Sequence, residues 1–183
     1  MKTLIDTHSH IDLEDFSNDL NITIKNAAAA GVEKIIIPSV DRNSFEKVIK
    51  IAEAYENIYC ALGIHPTEAQ NSTEADFETI EELCSHPKVV AIGECGLDYY
   101  WDKTFIDEQK QVFLKQIKIA KNSKKTLIVH DMEAHKETFD LLTNNINGEI
   151  PVVMHCFSGS VEFAKECVKQ GFYIGLGGVV TFK

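Results

Sequence analysis

Short apolar runs alternate with longer segments of helical periodicity along this chain. We predict strands at residues 3–6, 34–38, 58–64, 89–93, 126–129, 151–154 and 172–175. Most of these runs are apolar on both faces, as expected for parallel strands that helices cover on both sides. The alternation is typical of a parallel α/β fold, and nothing in the sequence divides it into two domains.

Between the predicted strands, apolar residues recur at helical spacing. The clearest stripe, at positions i, i+3, i+4 and i+7, consists of Phe45, Val48, Ile49 and Ala52. The longest helix is predicted at residues 106–120, with a buried face that includes Gln109 and Gln116. In the last predicted helix, residues 160–169, the side chains expected to face the core are Val161, Ala164 and Val168.

Composition places the chain in the soluble globular class. Of its 183 residues, 44% are hydrophobic and 25% are charged, and the formal net charge is −10. That sign excludes an extended basic face for gripping nucleic acid, so any phosphate must be held locally. No apolar stretch is long enough to cross a bilayer, and none resembles a signal peptide, so we expect a cytoplasmic protein without membrane contact. The five scattered cysteines are expected to be reduced thiols.

Metal-ligating residue types follow several of the predicted strands. They are His8, His10, His65, Glu94, His130 and His155. Parallel strands end on one side of a sheet, so these residues should converge there. Single histidines at strand ends are usually structural, but five of them in register with a glutamate favour a metal site. Imidazole and carboxylate ligands suit Zn²⁺ or Mn²⁺ better than a purely Mg²⁺ site.

Other residues near these positions are expected to have supporting or unrelated roles. Asp6 lies one pleat below the first two histidines, where it could orient an imidazole through its second nitrogen. Strand alternation would turn Cys95 and Cys156 away from the site, as packing residues. His86 and His135 fall in a loop on the opposite side and inside a helical pattern, so both are expected to face solvent.

The ordered motifs resemble the TatD family of metal-dependent deoxyribonucleases, in the amidohydrolase superfamily. The matching segments are Asp6-Thr7-His8-Ser9-His10, Gly63-Ile64-His65-Pro66, Gly93-Glu94-Cys95-Gly96-Leu97-Asp98-Tyr99-Tyr100, Val129-His130 and His155-Cys156-Phe157-Ser158-Gly159. The resemblance extends from Lys2 to Lys183. It implies a TIM-type (β/α) barrel and divalent metal ions, commonly two.

The resemblance also assigns roles to the strand-end residues. His8 and His10 would bind one ion, His130 and His155 the other, and Glu94 would bridge them. His65 would lie close to the scissile phosphate, so His65 and Glu94 are the candidate catalytic residues. The implied activity is hydrolysis of phosphodiester bonds by a metal-activated water, with DNA as substrate rather than stable partner and with Zn²⁺, Mn²⁺ or Mg²⁺ as cofactor.

Substrate contacts are predicted in two loops. Tyr99, Tyr100 and Trp101 could stack on an unpaired base, or could simply pack the loop. Ser158 lies at the start of a helix whose backbone N–H groups could bind a phosphate. A simple helix cap explains that segment equally well.

Two departures from the family pattern leave alternatives open. His130 is followed by Asp131-Met132-Glu133-Ala134, where relatives usually have a segment containing arginine. This favours a metallohydrolase for small molecules (amide, lactone or phosphoester) as an alternative. The eighth strand and its aspartate ligand have no counterpart, whereas a closed barrel typically needs about 250 residues. We therefore expect residues 1–183 to form a single barrel domain truncated before the eighth strand, with exposed edges. A metal-binding protein without turnover is the remaining alternative.

Overall fold

Seven parallel strands form one sheet whose order follows the sequence. The computed structural model describes residues 3–101 and 103–182, so the ends of the family resemblance at Lys2 and Lys183 lie outside the described residues. The strands are β1 (Leu4–Asp6), β2 (Val32–Pro38), β3 (Ile58–Leu62), β4 (Val89–Asp98), β5 (Thr126–Met132), β6 (Val152–Met154) and β7 (Tyr173–Ile174). Each pairs in parallel with its sequence neighbours, and the sheet curls into a half-barrel. The predicted parallel α/β fold of TIM-barrel type is confirmed.

Helices connect the strands and cover the outside of the sheet. They are α1 (Leu20–Ala29), α2 (Phe45–Ala54), α3 (Glu74–Leu83), α4 (Ile106–Ser123), α5 (His135–Ile146) and α6 (Val161–Lys169). Short 3₁₀ turns occupy Glu14–Phe16, Pro66–Asn71 and Gly178–Thr181. The predicted stripe of α2 is fully buried, which confirms that helix and its orientation. None of the described helices is long and apolar enough to span a membrane.

The orientation predicted for α6 is wrong. Val161 and Val168 are exposed, while Cys167 is buried. Phe163, on the same side as Cys167, stacks on Phe157 with ring centroids 5.6 Å apart. The aromatic contact therefore turns the opposite face of the helix inward, because burying a large ring contributes more than burying two valines at the margin of the core.

The largest difference in strand length concerns β4. It continues to Asp98 rather than ending at Gly93, and every residue along the extension is buried. Glu94 consequently lies inside a strand, not after one. The extension pairs with the end of β5, where Gly96 is opposite His130 and Asp98 is opposite Met132. The register shifts between Ile92 and Cys95, which lets the strand continue past the glutamate.

The curled sheet is open between β1 and β7. These are the two edge strands among the described residues. A groove of about 670 Å³ lies between them, lined by residues of both strands and by the segment after β7. Leu4, Ile5, Leu176, Val180 and Phe182 expose large apolar side chains in this region. The expected exposed edges and apolar surface are thus present in the described part of the chain.

Candidate metal centre

Five imidazoles surround the carboxylate of Glu94. The side chain of Glu94 is 5% exposed, and a nitrogen of each ring lies within 4 Å of one of its oxygens. The distances are 3.1 Å for His8, 3.7 Å for His10, 3.9 Å for His65, 2.9 Å for His130 and 3.8 Å for His155. The strand-end residues predicted from the sequence do converge in the structure.

The two oxygens of Glu94 face different histidines. Oε2 is the oxygen near His8 and His10, and Oε1 is the oxygen near His65, His130 and His155. The distances among the candidate ligand atoms themselves pair the histidines in a different way. His8 and His155 form one compact group with Glu94, and His65 and His130 form another, each with its ligand atoms within 4.8 Å of one another. Glu94 belongs to both groups, so it occupies the centre under either division.

Backbone hydrogen bonds to neighbouring parts of the chain place the loop histidines. The His65 N–H donates to the Val40 carbonyl at 2.8 Å, and the His155 N–H donates to the Val129 carbonyl at 2.8 Å. The carboxylate of Asp6 accepts from the backbone N–H of His8 at 3.1 Å. Asp6 therefore fixes the main chain of His8 and not its imidazole, contrary to the role expected from the sequence.

Two buried glutamines of α4 bind the main chain close to the histidine cluster. Gln116 accepts from the Ile64 N–H at 2.8 Å and donates to the Ile64 carbonyl at 3.0 Å, next to His65. Gln109 binds the main chain of Asp98 in the same way, at 2.9 and 3.0 Å. A buried amide side chain that satisfies both backbone groups of a partner residue replaces a missing sheet neighbour. The sequence predicted that both glutamines face the core but not what they bind.

Burial and charge set the protonation of the cluster. Burial lowers the pKa of His155 to about 3 and that of His65 to about 4, so both imidazoles are neutral at pH 7. Burial alone would raise the pKa of Glu94, but hydrogen bonds to His10, His130 and His8 hold it well below its usual range. Burial opposes protonation of His130, yet its bonds to Glu94 and Asp98 raise its pKa above the ordinary value.

The donor set fits divalent metal ions. Metal ligation requires unprotonated imidazoles and an ionised carboxylate, the states that burial favours for His65 and His155 and that hydrogen bonds favour for Glu94. Nδ1 of His8 is buried and has no hydrogen-bond partner among the described residues, which leaves a donor atom available for an ion. His8 and His155 stack with ring centroids 3.3 Å apart, so these ligands are already crowded together.

One of the predicted substrate-contact residues lies at the cleft beside Glu94, which has a volume of about 460 Å³. Ser158 lines it, together with Asp131, Met132 and Cys156. Ser160, rather than Ser158, caps α6 by accepting from the Phe163 N–H at 3.1 Å.

The three aromatic residues predicted to stack on a base lie in two different environments. Tyr99 lines a neighbouring cavity, and its hydroxyl donates to Glu137 at 2.5 Å. Tyr100 and Trp101 are exposed at the surface with their rings 4.9 Å apart and nearly perpendicular.

Some expectations for neighbouring residues are wrong. Cys95 is buried as predicted, but Cys156 lines the cleft because β6 ends at Met154 and the chain then turns at a positive φ of 43°. His135 is half-buried and contacts Asp131 at 2.8 Å, so it does not face solvent freely. His86 is also half-buried: it lies 3.2 Å from Glu53 and accepts from the Lys88 N–H at 3.2 Å, away from the cleft.

Sequence reasoning missed the part played by Asp98. This carboxylate is 1% exposed, and its Oδ2 lies 2.9 Å from Nε2 of His130. It ends the extended β4, directly beside the ring that contacts Glu94. The sequence does contain a signal for this role. Asp98 follows Glu94 by four positions, so a strand that continues through both residues places them on the same face.

Comparison with known proteins gives consistent matches over almost the whole chain. The family described as "TatD related DNase" matches residues 5–183. An "Uncharacterized metal-dependent hydrolase YabD" of Bacillus subtilis is 43% identical over 98% of this chain and 71% of its own length. A "3'-5' ssDNA/RNA exonuclease TatD" of Escherichia fergusonii is 32% identical over 97% of this chain and 68% of its own. The crystal structure of YjjV, a TatD homologue from Escherichia coli, superposes with a TM-score of 0.92 at 35% identity, covering 98% of this chain and 70% of that one.

Proposed function

This chain belongs to the TatD-related DNase family of metal-dependent hydrolases, and from that premise we propose that it cleaves phosphodiester bonds in single-stranded nucleic acid. The observation that carries the proposal is the ring of five imidazoles within 4 Å of Glu94. The substrate class is that of the ssDNA/RNA exonuclease of Escherichia fergusonii to which the chain is similar. DNA would be a substrate of the enzyme and not a lasting partner.

Two divalent ions are the proposed cofactors. His8 and His10 would hold one ion on the Oε2 side of Glu94, and His130 and His155 would hold the other on the Oε1 side. We prefer this division over the grouping by ring proximity because His8 and His10 both face Oε2, whereas His130 and His155 both face Oε1. When bound, Zn²⁺, Mn²⁺ or Mg²⁺ would lower the pKa of a water and stabilise negative charge on phosphate oxygens.

The chain's own groups would position the substrate. Nδ1 of His65 bonds the hydroxyl of Thr67 at 2.8 Å, which fixes the ring at the cleft. Since its pKa is about 4, the imidazole is neutral at pH 7 and able to accept a hydrogen bond from the attacking water. Ser158 at the rim would contact a phosphate, and the exposed Tyr100 and Trp101 would contact a base.

A substrate panel tests this function. The purified protein is loaded with Mn²⁺ or Zn²⁺ and assayed on a 5′-labelled single-stranded DNA, its duplex, an RNA strand and small esters and amides. We expect shortened single strands, no reaction in EDTA and recovery after metal is restored. Strand cleavage that persists in EDTA would contradict the metal-dependent mechanism.

A small-molecule metallohydrolase is the second candidate function. Asp131 and Met132 line the cleft, and the net charge of −10 also disfavours a polyanion. The same panel separates the two, because a small-molecule hydrolase would turn over an ester, lactone or amide and leave every oligonucleotide intact. Stoichiometric metal binding without turnover on any substrate would leave only the metal-binding role.

Location and domain organisation form part of the proposal. All five cysteines are free thiols, as is typical of a reducing compartment such as the cytoplasm. We also infer one domain, because the seven strands share one sheet and one principal core.

A further inference from the structure

A buried carboxylate connects the candidate metal centre with an exposed aromatic loop. Oδ2 of Asp98 lies 2.9 Å from Nε2 of His130. Oδ1 of the same carboxylate accepts from the backbone N–H of Tyr100 at 2.9 Å and of Trp101 at 3.0 Å. One side chain thus bonds a histidine of the cluster with one oxygen and the next loop with the other.

Asp98 is itself held firmly. Gln109 of α4 accepts from its backbone N–H and donates to its backbone carbonyl. The residue is 1% exposed at the end of β4. Because its main chain is fixed, this carboxylate keeps the two groups that its oxygens bind at a constant position relative to each other.

The loop beyond Asp98 presents two aromatic rings to solvent. Trp101 is 72% exposed and Tyr100 is 54% exposed, and their planes meet at 89°. We call these two residues the aromatic pair. An unpaired base has a free π-face that stacks on such rings without regard to sequence, whereas the bases of a duplex already stack on each other.

We propose that Asp98 is a positioning residue that holds the aromatic pair at a fixed place relative to His130. An unpaired base that stacks on the pair then has its phosphodiester at the candidate metal centre. This inference rests on the proposed nuclease function and adds the base subsite and the residue that aligns it. The ligand recognised by the aromatic pair is an unpaired nucleobase of a single strand.

Substitutions can test the two contacts of Asp98 separately, one with His130 and the other with the aromatic loop. Asp98→Asn keeps an oxygen for the amides of Tyr100 and Trp101 but turns an N–H donor towards His130, which disturbs its tautomer. Asp98→Ala removes both contacts. Trp101→Ala removes the stacking ring alone, and Tyr173→Ala removes an exposed aromatic ring from β7 as the matched control.

The expected kinetics on a metal-loaded enzyme and a single-stranded oligonucleotide differ between the variants. Trp101→Ala raises KM about tenfold with kcat within about twofold of wild type, in line with one lost stacking contact. Asp98→Asn lowers kcat roughly 10–100-fold with KM unchanged, as for other partners of metal-binding histidines. Asp98→Ala does both, and Tyr173→Ala does neither.

Double variants decide whether Asp98 acts through the aromatic pair. Adding Trp101→Ala to Asp98→Ala should leave KM within about twofold, because the ring is already misplaced. Adding it to Asp98→Asn should raise KM about tenfold. Additive increases in both backgrounds, or a KM for Asp98→Asn as high as for Asp98→Ala, would overturn the proposal. Thermal melts confirm that each variant is folded.

A binding measurement separates this inference from the proposed function. Trp101 is the single tryptophan of the chain, so its fluorescence reports the loop directly. A phosphorothioate single strand should quench it in wild type, and about tenfold more oligonucleotide should be needed in Asp98→Ala. Quenching without cleavage of normal DNA would remove the nuclease function and keep the subsite. Binding without quenching, or no binding, would refute the subsite.

Discussion

Glu94 is a buried negative charge whose neighbours are mainly imidazoles. An ionised carboxylate is costly to bury unless charges or hydrogen bonds compensate it. Here His130 and His8 supply close contacts at 2.9 and 3.1 Å. These contacts compensate only part of the charge, and divalent ions would compensate the rest. The residue therefore couples the stability of the cluster to metal binding.

Replacing Glu94 with glutamine should abolish metal binding while retaining the fold. Glutamine has nearly the same shape but carries no charge and offers one weaker ligand oxygen. We expect elemental analysis to find less than about a tenth of the wild-type metal, and the thermal stabilisation by added metal to disappear. Binding at 100 times Kd stabilises wild type by about 2.7 kcal/mol.

The control for that variant is His86→Gln, which alters a histidine paired with Glu53 away from the cleft. It should bind metal as wild type does. Full metal occupancy in Glu94→Gln would show that the carboxylate is not the central ligand.

Acidification should destabilise the metal-free protein between about pH 6.5 and pH 4. The pKa values of His65 and His155 are about 4 and 3 in the folded protein, against 6.5 for the free side chain. Both rings stay neutral in the native state while the unfolded chain takes up protons, so stability present above pH 6.5 is lost as the pH falls. By pH 5.0 each ring accounts for a loss of about 2 kcal/mol, and the raised pKa of His130 offsets part of it.

Urea unfolding in EDTA at pH 7.5 and pH 5.0 measures this effect. The variant His155→Gln should show a smaller loss between the two pH values than wild type. Equal free energies of unfolding at both pH values in the wild type would contradict the assignment of buried neutral imidazoles.

At the residue scale, the sequence predicted which side chains come together around Glu94 but not their individual contacts. A histidine after an apolar run is visible in a sequence, and parallel strands bring such positions together whatever the details of packing. The bond from Asp98 to His130 was not visible, because it depends on β4 continuing five residues beyond Gly93. The backbone contact of Asp6 likewise depends on local loop geometry.

At the scale of elements, β4 and β5 form the central pair of the site. Their contact brings Glu94 and Asp98 to the two nitrogens of His130. Gly96 permits this approach, with a φ of +143° and its Cα facing the His130 backbone. A Cβ at position 96 would overlap the His130 carbonyl oxygen.

Gly96→Ala should therefore destabilise the protein by roughly 3 kcal/mol or more and weaken metal binding, since the strand pair must separate at His130. Gly171→Ala is the matched control. Its φ of +81° is also unfavourable for alanine, but nothing lies within 4 Å of the added Cβ. We expect a loss of about 1 kcal/mol there, with metal binding unchanged. Chemical denaturation and elemental analysis compare the two variants, and equal effects would show that close packing at Gly96 is unimportant.

Periodicity predicted the elements well where a stripe faces one continuous core. The buried residues of α2 and α4 agree with their 3.6-residue spacing. The prediction was wrong for α6 because the stacking of Phe163 on Phe157, a tertiary contact, decides which face turns inward. Similarly, the ends of β3 and β4 depend on hydrogen bonds from neighbouring strands and from buried glutamines, which no local pattern reveals.

At the scale of the whole molecule, the open side of the half-barrel carries exposed apolar side chains. Leu176 and Phe182 are exposed near β7, and Leu176 lines the groove beside β1. Unpaired strand edges and apolar patches promote association. We expect this 183-residue chain to self-associate with increasing concentration in sedimentation velocity experiments.

Leu176→Lys combined with Phe182→Lys should reduce that association and leave metal binding intact. Ile22→Lys, which changes an exposed apolar residue of α1, should not reduce it. Equal self-association of all three proteins would locate the contact elsewhere.

The sequential strand order also has a consequence for how the chain reaches its structure. Each strand pairs only with the strand before and after it, so most of the sheet could assemble stepwise while the polypeptide emerges from the ribosome. The proposed metal ligands are not local in the sequence, because His8 follows the first strand and stacks on His155, which follows the sixth. An ion captured early would meet only a partial set of donors, so tight metal capture should be a late step in biogenesis, after β6 has docked.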